Sequence, residues 1–133
     1  MAQNELEEGN DLTVDYAKRN GLVPCVVQDV RDEQILMLAY VNDLALSATF
    51  DKGLATFWST SRNELWTKGE TSGDYLKIVE VLIDCDQDSL IYRVERQGAG
   101  VCHTTDPSTD EARKSCFYRK VEMATRTLRF NSS

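Results

Sequence analysis

The sequence predicts one α+β domain that is rich in β-structure, with mainly antiparallel strands and few short helices. Three observations predict this fold class. About seven runs are β-branched or alternate between apolar and polar residues, whereas a single run has clear helical spacing. The segments between these runs are short, which favours antiparallel neighbours. The 133 residues contain no repeat or linker, so we expect one curved sheet or a pseudobarrel.

The first two strands and the helix follow one another early in the chain. Residues 22–30 and 34–40 are apolar runs joined by a polar turn, a pattern typical of a hairpin. Asn42 is a favourable N-cap residue, and Gly53 suits the position that follows a helix. The helical spacing of the apolar residues between them predicts a short helix over 44–52.

The rest of the chain is predicted to consist of strands and polar loops. Residues 65–74 are polar and contain glycine, which predicts a loop. Residues 106–114 form a second polar segment, which could hold one helical turn. The predicted strands are 54–61, 75–84, 90–98, 101–105 and 115–123.

The charge of the chain is unevenly distributed and excludes several classes of protein. Its 22 acidic and 15 basic residues give a net charge of −7. The first eleven residues contain four acidic residues and no basic residue, so we predict a mobile acidic tail over 1–13 and a single domain over 14–133. The acidic balance excludes a general nucleic-acid binder. No apolar run reaches the roughly 18 residues of a membrane helix and no targeting segment is recognised, so a cytoplasmic protein is expected.

Three carboxylates and a thiol lie close together at the end of a predicted strand. In an extended chain Asp84, Asp86 and Asp88 project to one side and Cys85 to the other. The carboxylates are hard oxygen ligands that suit Mg²⁺ or Ca²⁺, and the thiol is a soft ligand that suits Zn²⁺. A polar hairpin turn beside a buried cysteine explains the same residues equally well.

Three of the four cysteines are candidates for a metal centre. Cys85, Cys102 and Cys116 lack the C-x-x-C pair of a structural zinc site. Three thiolates that leave one coordination position open are typical of a catalytic zinc, which activates water as a nucleophile. The alternative is that they are core residues, as we expect for Cys25 in its apolar strand. The single histidine, His103, is a candidate general acid or base, or a ligand of the second metal.

Five residues within the predicted loop 65–74 could bind an anion. Lysine supplies a positive charge, threonine and serine supply hydroxyl donors, and glycine allows backbone N–H groups to approach. A loop that only faces solvent is the alternative, because no phosphate-binding motif is complete. The five residues are Lys68, Gly69, Glu70, Thr71 and Ser72.

Taken together and in this order, these motifs resemble one family, the phosphoribosyl-AMP cyclohydrolases of histidine biosynthesis. The combination of WTKGETSG with DCDQD is highly specific, and the resemblance extends over most of 21–119. The matching stretches are GLVPCVVQD (21–29), LMLAYVN (36–42), FWSTSRNELWTKGETSGD (57–74), DCDQD (84–88), CHT (102–104) and SCFYR (115–119).

The resemblance implies a metal-dependent enzyme that acts on a small phosphorylated nucleotide. It implies that Cys85, Cys102 and Cys116 bind zinc and that the three aspartates bind magnesium. It also implies an intertwined homodimer in which two subunits share the zinc site. Contacts with substrate phosphate are expected from the KGETS loop and from a second group of residues. That group is Ser59, Ser61 and Arg62.

The implied reaction is hydrolysis of the C6–N1 bond of the adenine ring in phosphoribosyl-AMP. Water attacks C6, and ring N1 must be protonated as it leaves; we assign this role to His103, with Glu70 as the second candidate. Zinc deaminases attack the same carbon, but their H-x-E…P-C-x-x-C signature is absent. The competing classes are a non-catalytic zinc-binding or thiol-redox module and a calcium-regulated protein that uses the aspartates.

The sequence departs from the family pattern between CHT and SCFYR. The ten residues TDPSTDEARK intervene there, either as a surface loop or as a segment that brings Arg113 and Lys114 to the substrate. Some members of the family carry a C-terminal pyrophosphohydrolase domain. This chain ends soon after its last predicted strand, so we expect the cyclohydrolase step alone.

Overall fold

The computed structural model describes residues 3–131 and has the predicted fold class, rich in β-structure with few helices and mainly antiparallel pairing. Within this range, no helix combines the length and the apolar character that a membrane crossing requires. The elements are α1 (Gln3–Glu8), a 3-10 turn (Ala17–Arg19), β1 (Val23–Asp29), β2 (Ile35–Val41), α2 (Asp43–Lys52), β3 (Thr56–Ser59), β4 (Glu64–Thr67), β5 (Leu76–Ile83), β6 (Leu90–Arg96), β7 (Thr105–Asp106), β8 (Glu111–Ala112), β9 (Arg119–Glu122) and β10 (Thr127–Phe130).

Two hairpins lie side by side in the main sheet, whose strand order is β2-β1-β6-β5. Both hairpins are antiparallel, but the inner strands β1 and β6 are parallel, with Cys25 opposite Leu90. Strands joined by short segments are antiparallel, as expected, whereas the junction between the two hairpins is parallel, because loop length constrains only strands that are consecutive in the chain. The edges β2 and β5 do not meet, so the sheet is not closed and the expectation of a pseudobarrel is wrong.

One face of the main sheet is buried against α2 and the β3–β4 hairpin. Buried and half-buried residues alternate along β1, because successive side chains of a strand point to opposite faces. α2 begins where Asn42 Oδ1 accepts a hydrogen bond from the Ala45 N–H at 2.9 Å, and it ends at Gly53 with φ 70°. These caps confirm the predicted helix. Cys25 lies in the core, as predicted, and burial raises its pKa.

The opposite face of the main sheet exposes an apolar row that crosses all four strands. Leu38 lies opposite Val26, Val26 opposite Ile91, and Ile91 opposite Leu82. Leu38 and Leu82, at the two ends, are 46% and 42% exposed. We call these four residues the open-face row.

Besides the strands of the polar insertion, β4 and β10 lie outside the predicted strands. β4 occupies part of the predicted loop 65–74, because its residues pair with β3 and the polar loop starts only after Thr67. β10 follows the predicted last strand, 115–123, and pairs with β9. The alternation in both strands is too short to distinguish from a loop in the sequence.

The polar insertion forms the β7–β8 hairpin rather than the suggested helical turn. Asp106 Oδ1 accepts hydrogen bonds from the Ser108 N–H at 2.9 Å and from its hydroxyl at 2.7 Å. The chain then reverses through Asp110, which has φ 59°. Aspartate and serine that bond the local backbone in this way favour a turn over a helix.

The acidic N-terminal segment lies against the turn between β5 and β6. α1 falls within the residues predicted as a mobile tail, 1–13, of which residues 1–2 are outside the described range. The buried side chain of Gln87 accepts a hydrogen bond from the Thr13 N–H at 2.7 Å and donates to the carbonyls of Leu6 and Asp11. These bonds connect the N-terminal segment to the aspartate-rich turn.

Candidate active site

The turn between β5 and β6 gathers the three predicted aspartates. Asp84, Asp86 and Asp88 can each place a carboxylate oxygen within 4.8 Å of the others. Asp84 Oδ1 also accepts the N–H groups of Asp88 and Ser89 at 2.9 and 3.1 Å, which closes the turn. The chain is therefore turned here rather than extended, but the three carboxylates still lie together.

Two basic side chains of the 3-10 turn contact these aspartates. Lys18 Nζ lies 2.5 Å from Asp88 Oδ2 and 3.3 Å from Asp86 Oδ2, and Arg19 Nη1 lies 3.1 Å from Asp88 Oδ2. The hydrogen bond from Lys18 is the main reason why the pKa of Asp88 is below its usual range. The pKa of Asp84 is raised, first by burial and then by its bond to Asp88. Sequence analysis missed both basic residues because they precede Asp88 by 70 and 69 positions.

The aspartate cluster fits a hard divalent cation. Three carboxylates that can share one ion are the ligands that Mg²⁺ and Ca²⁺ prefer. The Lys18 ammonium already contacts oxygens of Asp86 and Asp88, so a divalent ion would compete with it for the same atoms.

Cys102 and Cys116 form a thiol pair near the β2 edge of the main sheet. The Cys116 N–H donates to the Leu36 carbonyl at 2.7 Å, and the Cys102 N–H donates to the Arg113 carbonyl at 3.0 Å. The two thiols are close enough to shift each other's pKa. Burial raises the pKa of Cys102, but hydrogen bonds with Thr104, the neighbouring Cys116 thiol and the charge of Arg113 together outweigh burial, and the net pKa is lowered. Burial, followed by the charge of Cys102, raises the pKa of Cys116 to about 11. Cys102 therefore ionises first, which suits it to bind a soft metal ion.

Cys85 lies away from this pair in a single chain. It follows β5, the edge strand opposite β2, and it is exposed. Three spacings of about 4.8 Å, roughly 14 Å in all, separate the two edge strands. A single chain therefore brings together two of the three predicted zinc ligands. Their sulfur atoms suit zinc, but a third thiol from elsewhere is needed to complete the predicted site.

The two acid–base candidates have different surroundings. His103 is exposed and follows the buried Cys102, so its ring is accessible to a small molecule beside the thiol pair. Glu70 Oε1 accepts a hydrogen bond from the Thr67 N–H at 3.2 Å. Glu70 therefore takes part in the folding of its own loop, and His103 is the better candidate for proton transfer.

The predicted anion-binding loop follows β4 and approaches the thiol pair. Lys68 is close enough to Cys116 for its positive charge to oppose the raised pKa of that thiol. Gly69 is buried and turns the chain with φ 95°, while Thr71 and Ser72 are exposed. The loop thus offers a cation and two accessible residues with hydroxyl groups on the side of the molecule where the thiols lie.

The second group of predicted phosphate contacts lies at the far end of the β3–β4 hairpin. Ser59 Oγ accepts a hydrogen bond from the Arg62 N–H at 3.3 Å and lies 3.4 Å from Ser61 Oγ. Thr56 pairs with Thr67 at the other end of the hairpin, where the anion-binding loop starts. Three residues of strand, roughly 10 Å, separate the two groups, so a single chain does not cluster them.

A buried ion pair between Asp29 and Arg96 holds the segment that precedes Cys102. Sequence analysis did not predict this pair. Arg96 Nε donates to Asp29 Oδ2 at 2.9 Å, and the Asp29 side chain is 2% exposed. Arg96 Nη1 also donates to the Ala99 carbonyl at 2.7 Å, which holds the segment that leads to Cys102. No sequence pattern connects Asp29 with Arg96, because they belong to parallel strands that are far apart in the chain.

Comparisons with known proteins agree on one family. The family model described as Phosphoribosyl-AMP cyclohydrolase matches residues 37–118. A phosphoribosyl-AMP cyclohydrolase of Solibacter usitatus is 44% identical over 111 residues, which cover 84% of this chain and 82% of that protein. One of Archaeoglobus fulgidus is 47% identical over 102 residues, covering 77% and 87%. One of Rhodopseudomonas palustris is 43% identical over 121 residues, covering 91% and 77%.

Proposed function

The chain belongs to the phosphoribosyl-AMP cyclohydrolase family, and from this premise we propose which of its residues perform the reaction. The enzyme opens the adenine ring of 1-(5-phosphoribosyl)-AMP by hydrolysis of the C6–N1 bond, a step of histidine biosynthesis. The product is a formimino aminoimidazole carboxamide ribotide. Membership of this family does not favour a non-catalytic zinc-binding or thiol module. A cytoplasmic location is part of the proposal.

Zinc is held, in our proposal, by Cys102 and Cys116 of one subunit together with Cys85 of the partner subunit. The observation that carries this assignment is the thiol pair at one edge of the main sheet and the exposed third thiol at the opposite edge. A two-fold axis between two copies would complete two equal sites. Zinc bound there would supply an activated water for attack on C6 of the adenine ring.

The open-face row supports the same homodimer. Its four apolar side chains form a strip across the sheet, and a sheet face of this kind is normally packed against a second layer. A second copy of this chain is the occupant that would cover the strip and also bring a third thiol to the pair. In the proposed intertwined dimer, each zinc site therefore contains thiols of both subunits.

Magnesium is assigned to Asp84, Asp86 and Asp88, whose carboxylate oxygens fit it. Binding of the ion requires that Lys18 withdraw its ammonium from Asp86 and Asp88. Bound there, the ion would bind a phosphate of the substrate or orient its ring.

His103 is the proposed proton donor to ring N1. Substitution at N1 localises the double bonds of the ring, which favours addition at C6, but N1 leaves only when it is protonated. An exposed imidazole beside Cys102 can hold and deliver that proton. Glu70 remains the second candidate, although its bond to Thr67 favours a role in the shape of the loop.

The KGETS loop is proposed to bind a substrate phosphate near the thiol pair. Lys68 contributes charge, Thr71 and Ser72 contribute hydroxyl donors, and Gly69 allows backbone N–H groups to approach. A second group of residues was predicted to contact a substrate phosphate. Within a single chain, this group lies at the opposite end of the β3–β4 hairpin from the KGETS loop. That group is Ser59, Ser61 and Arg62.

Zinc analysis combined with an assay on phosphoribosyl-AMP tests the proposal. We expect about one zinc per chain in the purified protein and ring opening that is followed by ultraviolet absorbance. A zinc chelator should abolish turnover, and added zinc should restore it. Full turnover by a zinc-free protein would contradict the assignment of the three thiols.

A further inference from the structure

A cavity of about 610 Å³ lies between the β7–β8 insertion and the C-terminal β9–β10 hairpin. None of the residues assigned above to metal binding, proton transfer or phosphate binding lines it. Its size is within the range of small-molecule sites. Arg113, Tyr118 and Phe130 are among the residues that line it.

The guanidinium of Arg113 lies against two aromatic rings in this cavity. Its carbon lies 4.2 Å from the Tyr118 ring centroid and 5.6 Å from that of Phe130. The two rings are stacked on each other, with centroids 6.0 Å apart and planes 19° from parallel. Contact with the rings restricts the guanidinium, and a planar guanidinium whose N–H groups are not paired suits bidentate recognition of an oxyanion.

The N–H groups of Arg113 are not hydrogen-bonded to the neighbouring carboxylates within the described residues. Within residues 3–131, no salt bridge or side-chain hydrogen bond involves its guanidinium. Asp106, which also lines the cavity, accepts two hydrogen bonds from Ser108. Lys114, the neighbouring base, is paired with Asp32. The acidic Glu111 is exposed, so solvent screens its charge.

Arg113 is also connected directly to the thiol pair. Its carbonyl accepts the Cys102 N–H at 3.0 Å. Ser115 and Phe117, the two neighbours of Cys116 in the chain, line the same cavity. A ligand that occupies this cavity would therefore extend towards the proposed reaction centre.

We propose that Arg113 binds the phosphate of one ribose 5-phosphate arm of the substrate in this cavity. The proposal deepens the function proposed above and rests on it. The substrate carries two such arms, and the KGETS loop accounts for a single phosphate. The insertion that distinguishes this chain from the family pattern thereby forms one wall of a subsite that determines substrate affinity.

Ligand binding by the full-length protein tests the subsite, with ribose 5-phosphate as the probe. In isothermal titration, Arg113→Gln should weaken binding of ribose 5-phosphate at least about tenfold, because a charge-assisted bidentate contact is lost. The KM for phosphoribosyl-AMP should rise about tenfold to a hundredfold, with little change in kcat. Arg113→Lys should give an intermediate loss, because an ammonium keeps the charge but lacks the planar fork.

Arg119→Gln is the matched control. Arg119 also lies over the Tyr118 ring, at 5.4 Å, but it is exposed and does not line the cavity. We expect it to leave probe affinity and KM unchanged. Equal probe affinity and KM in Arg113→Gln and the unsubstituted protein would overturn the subsite, as would equal losses in the two glutamine variants.

Chemical labelling of the unsubstituted protein gives a readout that does not depend on the folding of a variant. Phenylglyoxal modification, located by peptide mass spectrometry, should be slowed at Arg113 but not at Arg119 when ribose 5-phosphate is present. Unchanged labelling of Arg113 would overturn the proposal. Protection of Arg113 in a protein that fails to open the ring would instead contradict the function and leave the subsite standing.

Discussion

At the scale of single residues, the exposed His103 directly follows the buried Cys102, so the proposed roles in proton transfer and in zinc binding belong to adjacent residues that can be substituted separately. We predict that His103→Ala retains zinc but lowers kcat by about 10²- to 10⁴-fold, because N1 then lacks a proton donor. The measurements are zinc content, kcat and the pH–rate profile. If kcat and the pH–rate profile are both unchanged, His103 has no part in the mechanism.

Lys18 is the residue that most directly opposes binding of a divalent ion. Its ammonium contacts Asp86 and Asp88, where a divalent cation would bind. We predict that Lys18→Met tightens Mg²⁺ or Mn²⁺ binding about three- to tenfold, because the ion no longer displaces a partly exposed ion pair. Isothermal titration with the metal alone measures the effect.

Lys120→Met is a suitable control for the loss of a positive charge, since Lys120 is exposed on β9 and forms no salt bridge with the aspartates within residues 3–131. It should leave the metal affinity unchanged. Unchanged or weaker binding in Lys18→Met would show that the ammonium does not compete with the ion.

At the scale of elements, the KGETS loop depends on a close backbone approach at Gly69. A Cβ there would lie 2.5 Å from the Tyr75 backbone nitrogen, and φ is 95°. We predict that Gly69→Ala lowers the free energy of unfolding by about 3 kcal/mol, the combined effect of a clash and a strained φ. Urea denaturation measures this loss, and the KM for the substrate should rise with it.

Gly73→Ala separates these two contributions. Gly73 has a similar φ of 82°, but a Cβ there meets nothing within 4 Å. We expect a loss of about 1 kcal/mol from backbone strain alone. Equal losses for both alanine variants would remove the close approach as the reason for glycine at position 69.

Elements defined by nearby residues were predictable from the sequence, and those defined by distant partners were not. The limits of α2 follow from Asn42 and Gly53, which act on the same helix. The parallel pairing of β1 with β6 has no local signal, because it joins two hairpins that are each complete in the sequence pattern. The contact of Lys18 with the aspartates and the distance of Cys85 from the other thiols depend on that same long-range arrangement.

The sequence predicted which residue types form the candidate site. It did not predict which of those residues one chain brings together. The spacing of Asp84, Asp86 and Asp88 correctly indicated a carboxylate cluster. The cysteine pattern named three thiols but carried no information on how many chains supply them. Only the strand order reveals that Cys85 and Cys116 lie at opposite edges of the sheet.

At the scale of the whole molecule, complementation between subunits tests whether the zinc site is shared. Cys85→Ser and Cys102→Ser should each be inactive alone. After subunit exchange, a mixed dimer would contain one intact site, formed by the unaltered halves of the two chains. We predict recovery of about a quarter of the activity in an equal mixture, since half of the dimers are mixed and each has one of two sites.

Cys102→Ser mixed with Cys116→Ser is the control for this experiment. Both changes fall on the same half of the proposed site, so no mixed dimer contains an intact one. This mixture should stay inactive. Recovery in neither mixture, or equal recovery in both, would contradict a site that is divided between Cys85 and the thiol pair.

The parallel junction of the two hairpins also sets an order for folding. Each hairpin closes locally, whereas Leu90 lies 65 positions after Cys25, its partner across the junction. Closing so long a loop costs more entropy than closing a hairpin, so docking of the hairpins is the slow event. The aspartate turn and the segment leading to Cys102 both adjoin β6, while Cys116 is bonded to β2. The pair of Cys102 and Cys116 therefore forms only after the hairpins have docked, and zinc bound there as proposed should slow unfolding more than it accelerates folding.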